Sequence, residues 1–220
     1  MRMSQITSLL LATNTAIQCI PPTIYRPSIL LISGTQNAKD LVIDDLDIRK
    51  THWPPKCKSG GKVHRGFARR TTFLLEQIQY FIEVNNGFVL AGHSLGGGCA
   101  VLMAAALHEM GKNVNGVYTF GMPHFASHEF KKYYTSSGIV SKHFTTSGDP
   151  VVYKIPKVFE NVGEYEILNS SKTMLEAHDL RMYDAILCQN ERTHLYHILP
   201  RLAAMSSLRR FRSTQSTMCM

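Results

Sequence analysis

The chain has 220 residues, 44% of them hydrophobic, which is enough for one sizeable core and short for two. Twenty-four Lys and Arg against 16 Asp and Glu leave a formal charge of +8, which favours anionic surfaces such as membranes or nucleic acids. No apolar run reaches the roughly eighteen residues that a membrane-spanning helix needs, so a soluble protein is expected.

The basic residues look scattered, apart from a concentration at Arg201, Arg209, Arg210 and Arg212. No aromatic-interleaved stripe accompanies them, which argues against nucleic acid as a partner. The five cysteines, Cys19, Cys57, Cys99, Cys188 and Cys219, show neither CxxC nor Cys/His metal spacing. A disulfide framework and a zinc site are therefore not expected. Free thiols suit a reducing, cytoplasmic compartment better than secretion, although the count leaves room for one or two bridges.

At the start, the apolar stretch Ile6 to Ala12 is interrupted by Thr13, Asn14 and Thr15, and no clear cleavage site follows. An amphipathic helix over Gln5–Gln18, ending before Pro21-Pro22, is the expectation. Ser28 to Ser33 is a short apolar run closed by Gly34, as for a central strand buried on both faces. Asp47 to Trp53 reads as extended and Pro54 to Lys62 as an exposed loop. Apolar residues from Phe67 to Val84 recur at near-helical spacing, stopped by Asn85-Asn86-Gly87. A buried strand, Phe88 to Ala91, then leads abruptly into a helix from Ser94 to Met110 that is rich in Ala, Leu and Met.

The alternation continues with a strand over Gly116–Phe120, a helix around Ser127–Tyr134 and a strand over Ile139–Thr145. Val158 to Leu168 reads as an edge hairpin divided at Gly163. Arg181 to Leu202 reads as a last helical region with a break at Pro200. Alternating strands and helices mean an α/β fold with a mostly parallel central sheet. One domain over residues 1–206 is expected, with a basic, disordered tail over 207–220.

Gly92-His93-Ser94-Leu95-Gly96 carries the chemistry. A serine hydroxyl is a poor nucleophile at neutral pH and needs a base, a clear approach and donors for a developing oxyanion. In a Gly-x-Ser-x-Gly turn between strand and helix, the flanking glycines Gly92 and Gly96 remove side chains that would collide. The start of the helix also offers free amides, of which that of Leu95 is the natural oxyanion donor. Such a pattern arises by chance in about 7% of chains this long. Its position between a buried strand and a small-residue helix is what makes Ser94 the candidate nucleophile.

Further pieces occur in order: Val63-His-Arg-Gly-Phe67, Gly92-His-Ser-Leu-Gly-Gly97, Thr119-Phe-Gly-Met-Pro123, Asp149-Pro-Val-Val and His178. Together they resemble the class 3 (fungal-type) triacylglycerol lipases of the α/β-hydrolase superfamily, over about Ser28 to Tyr183. The resemblance implies a Ser94, Asp149, His178 triad in which Asp149 orients the base. Asp149 is also an ordinary residue for the turn Ser147-Gly-Asp-Pro150, and His194 is the next candidate base after His178. The resemblance further implies a second oxyanion donor at Thr35, where Ser33 replaces the family's usual Arg, and a lid over residues 36–45. Leu41, Val42 and Ile43 fit a core-packed turn equally well.

The implied activity is hydrolysis of lipid-like esters through an acyl-enzyme, with no metal or cofactor. A lipid or small ester is the expected substrate, with transient contact to a membrane or lipid-droplet surface. A phospholipase A1, a short-chain carboxylesterase and a catalytically silent lipid- or protein-binding domain are the alternatives.

Overall fold

The computed structural model describes residues 1–34, 49–153 and 158–191. Its centre is a six-stranded sheet of β1 (Ile17–Ile20), β2 (Ser28–Ile32), β5 (Gly87–His93), β6 (Asn113–Phe120), β7 (Ser141–Thr146) and β8 (Tyr165–Leu168). The strands lie side by side in that order; β1 runs antiparallel to β2, and every other neighbouring pair is parallel. A separate antiparallel hairpin joins β3 (Lys50–Trp53) to β4 (Gly61–His64).

Strand β2 shows why this sheet is buried on both faces. Its side chains alternate, so Leu30 and Ile32 enter one apolar cluster while Ile29 and Leu31 enter the other. On the first face pack α2 (Arg65–Gln77), α3 (Gln79–Val84) and α4 (Leu95–Glu109). Helix α4 is buried nearly all round, as its unbroken run of apolar and small residues requires. On the second face α1 (Met3–Leu11) contributes Ile6 and Leu10, and a helix over residues 180–191 contributes Leu180, Tyr183 and Leu187. Helix α5 (His128–Ser136) is capped by the Ser127 hydroxyl, which accepts from the Phe130 amide.

Four expectations change. The first helix stops at Leu11, and Ile17–Ile20 is a strand, because the free edge of β2 takes backbone partners from it. The exposed loop after Trp53 ends at Gly60, and Gly61–His64 returns as β4. The hairpin expected over Val158–Leu168 is not formed. Glu160 spends its backbone groups on Phe125 and Ala126, which leaves Tyr165–Leu168 alone to extend the sheet along β7. The predicted single helix from Phe67 to Val84 is broken at Ile78.

Cys19, Cys57, Cys99 and Cys188 are free thiols. No helix among the described residues is long and apolar enough to cross a membrane. The expected tail over 207–220, Cys219 and the end of the last helix lie outside the described residues.

Candidate active site

Parallel strands deliver their C-terminal ends to one edge of the sheet, where α/β proteins gather functional groups. Three neighbouring strands do so here: β5 leads into Ser94, β6 into Gly121 and β7 into Asp149. Ser94 has φ 54° and ψ −127° and is the only described residue other than glycine with positive φ. That costly conformation is held by hydrogen bonds from the Ser94 amide to the Phe120 carbonyl and from the Gly97 amide to the Ser94 carbonyl, both at 2.9 Å. The turn is so tight that a Cβ on Gly92 would collide with the Gly96 carbonyl, and one on Gly96 with the Ile32 carbonyl. Leu95 begins α4, so its amide belongs to the first turn, whose N–H groups have no partner within the helix.

Asp149 precedes the short helix α6 (Pro150–Tyr153) and is buried. One carboxylate oxygen, Oδ1, accepts from the Val151 amide at 2.9 Å. The other, Oδ2, accepts from His178 Nδ1 at 2.8 Å and from the Tyr183 hydroxyl at 2.6 Å. His178 ends helix α7 (Met174–His178), which is tied to β7 by the Thr146 hydroxyl donating to the Ala177 carbonyl at 2.7 Å. With Nδ1–H donated to Asp149, the neutral ring carries its lone pair on Nε2. His178 Nε2 and Ser94 Oγ are both buried, and neither has a hydrogen-bond partner among the described residues.

Two further side chains hold the His178–Asp149 pair. His93 Nε2–H donates to the His178 carbonyl at 2.7 Å, and the two rings lie 4.8 Å apart. Burial, and then the neighbouring His178, push the His93 pKa down to about 4, so His93 stays a neutral donor at ordinary pH. Tyr183 also accepts from the Thr146 amide at 3.3 Å. Its phenol is held well above its usual pKa, first by burial and then by the Asp149 charge, and so remains a donor. Gly121 explains the Phe-Gly-Met-Pro segment. It has φ +58°, and a Cβ there would stand 2.9 Å from both Asp149 Oδ2 and His178 Nδ1.

Of the residues singled out from sequence, Asp149 and His178 meet directly, and His93 links His178 to the turn that bears Ser94. Thr35, the lid segment 36–45 and His194 lie outside the described residues. Ser33 donates its hydroxyl to the Thr15 carbonyl at 2.9 Å, so it ties the end of β2 to the segment before β1. Sequence reasoning missed Tyr183, the hold of His93 on His178 and the need for Gly121. The only signals were Tyr183 lying five residues after His178, and Gly121 within a quoted motif. Among the described residues no group of three His, Cys, Asp or Glu is disposed to hold a metal ion.

This architecture is the α/β-hydrolase fold, with a strained serine between strand and helix. The sequence profile of the family "Lipase (class 3)" matches residues 29–159, and the chain belongs to that family. Among curated relatives, the toxin TseL of Vibrio cholerae is 32% identical over 126 residues, which are 56% of this chain and 19% of that protein. The lipase of Rhizomucor miehei is 28% identical over 149 residues, 62% of this chain and 39% of its own length. The chain thus spans well under half of either relative.

Solved structures agree. The native Rhizomucor miehei lipase propeptide complex has a TM-score of 0.51 at 25% identity, covering 70% of this chain and 57% of that one. The Lip2 lipase of Yarrowia lipolytica has a TM-score of 0.57 at 19% identity, covering 66% and 58%, a likeness of fold alone.

Proposed function

We propose that the protein is a serine hydrolase that cleaves lipid-like carboxylic esters through an acyl-enzyme, with a catalytic domain over residues 1–206. The observation that carries this reading is the 2.8 Å hydrogen bond from His178 Nδ1 to Asp149 Oδ2. It leaves the Nε2 lone pair buried and unpaired next to the turn that holds Ser94.

In the proposed cycle His178 Nε2 takes the proton from Ser94 Oγ as that oxygen attacks the ester carbonyl. Charge develops on the carbonyl oxygen, where the Leu95 amide and the positive end of α4 stabilise it. Thr35 is the second donor, on the strength of the family resemblance. Protonated His178, stabilised by Asp149, then gives its proton to the leaving alcohol. Water deprotonated by the same Nε2 attacks the acyl-enzyme, which frees the fatty acid and restores Ser94. His93 enters by orienting His178 through its carbonyl.

The test is hydrolysis of a nitrophenyl ester by the wild type and by Ser94→Ala. A loss of at least about 10^3-fold in kcat is expected, the scale seen when a triad member is removed. Full activity in the variant would end the proposal. A chain-length series, dissolved and emulsified, then separates a lipase, active at the emulsion, from a short-chain esterase, active on monomers.

A further inference from the structure

The charge of this protein is not spread out as the sequence first suggests. From Arg49 to Leu75 the chain contains eight of its 24 Lys and Arg and none of its 16 Asp and Glu, so the remainder is balanced at sixteen of each. The whole formal excess of +8 therefore resides in the β3–β4 hairpin and the first turns of α2.

We propose that this cationic face docks the protein on the surface of an anionic lipid bilayer. Alternation along the strands, with His52 paired to Lys62, turns Lys50, His52 and Lys62 outward while Trp53 and Val63 are buried. Lys56 and Lys58 project from the exposed loop between the strands, and Arg69 is exposed on α2. Lys56, Lys58, Lys62 and Arg69 form no ion pair among the described residues.

Between hairpin and helix runs a groove of about 690 Å³ whose walls include His52, Pro55, Arg69 and Phe73. Phe73 is 51% exposed, and Tyr80, on the next helix, 77%. Among the described residues, Glu76 at the groove, Glu129 near Lys50 and Glu109 against Cys57 are carboxylates that border this face.

Cations that find no carboxylate partner among the described residues, set around exposed aromatic side chains, are the combination that binds the headgroup region of an anionic membrane. Nucleic acid is less well served, because the exposed aromatics do not form a continuous stacking track between the cations. The face also reaches toward the catalytic edge. Helix α2 starts directly after His64, and its Phe67 lies against Gly98 in the first turns of α4. Docking would supply lipid esters to the proposed serine hydrolase, and in that purpose the inference rests on that reading; the binding itself does not require Ser94.

The experiment is co-sedimentation of the full chain, as Ser94→Ala, with vesicles of phosphatidylcholine alone or mixed with phosphatidylserine. Binding to the mixed vesicles alone, falling as salt rises, is expected. Lys56→Glu/Arg69→Glu should lower the partition by at least about 25-fold, counting about fivefold for each cation lost. Arg2→Glu/Lys142→Glu, equal in charge change and beside Phe144 and Leu187 on the opposite side of the sheet, should lower it far less. Lys56→Gln/Arg69→Gln should give a smaller loss in the same direction, which guards against a folding defect in the reversal variant.

Equal binding to neutral vesicles would overturn the inference, as would equal loss in the two reversal variants. Tighter binding to single-stranded DNA than to anionic vesicles at the same salt would do the same. An inactive Ser94-intact protein that still binds anionic vesicles would count against the hydrolase reading and leave the docking face standing.

Discussion

The hydroxyl of Tyr183 and the Nδ1–H of His178 converge on one oxygen of Asp149, at 2.6 and 2.8 Å. The carboxylate that holds His178 is thus itself held by a phenol from the next helix. Tyr183→Phe removes one hydrogen bond to a buried charge, an interaction of about 1.5–3 kcal/mol. The expected result is a fall of roughly 10- to 100-fold in kcat with KM unchanged, read from steady-state kinetics on a soluble ester. An unchanged kcat would show that Asp149 is held without Tyr183.

Gly121 offers a sharper steric test. Alanine there must adopt φ +58° and place its Cβ 2.9 Å from Asp149 Oδ2 and His178 Nδ1. Gly121→Ala should cost about 1–3 kcal/mol of stability and lower kcat by at least about 100-fold. Urea unfolding and esterase kinetics, measured together, separate the two effects. Gly138→Ala is the control, since Gly138 also has positive φ (+72°) but a Cβ there meets nothing within 4 Å. It should lose stability and keep its activity.

The sheet was legible where strands are buried on both faces, because continuous runs such as Ser28–Ile32 and Phe88–Ala91 have few other uses. It was illegible where strand formation depends on a distant partner. Ile17–Ile20 has no pattern of its own and is a strand because β2 lies beside it. Val158–Val162 looks extended, yet its backbone bonds go to Ala126 rather than to Tyr165–Leu168. At the site, Ser94 was legible from local strain that only Gly-x-Ser-x-Gly tolerates. Asp149 and His178 needed the family's motif order. Tyr183 and Gly121 act through contacts between segments far apart in the chain, which spacing cannot reveal.

His93 is expected to position the base. His93→Phe keeps a ring against His178 but loses the 2.7 Å hydrogen bond to its carbonyl. A fall of about tenfold in kcat is expected, with partial recovery in His93→Gln, whose amide can donate to the same oxygen. Equal kinetics in wild type and His93→Phe would contradict this role.

Stability should depend on pH through a histidine that plays no part in catalysis. His143 is buried in β7, its Nδ1 lies 2.8 Å from the Thr119 hydroxyl, and burial lowers its pKa from 6.5 to about 4. Because the folded value is depressed, the unfolded chain binds more protons between these limits. The contribution is fully present above pH 6.5 and is lost as pH falls through about 4, to a total of roughly 3 kcal/mol. Urea midpoints measured from pH 7.5 to 4 should fall with pH, and the slope should flatten in His143→Leu. An identical slope in the variant would assign the acid sensitivity elsewhere.

The central claim is that Ser94 is an activated nucleophile rather than a buried hydroxyl. Reaction of the folded protein with a fluorophosphonate probe, followed by intact-mass and peptide mapping, tests it most directly. The account predicts one adduct, on Ser94, formed by the wild type, abolished in Ser94→Ala and strongly slowed in His178→Ala. An unlabelled wild type, with a control lipase labelled in parallel, or an adduct that persists in Ser94→Ala, would contradict it.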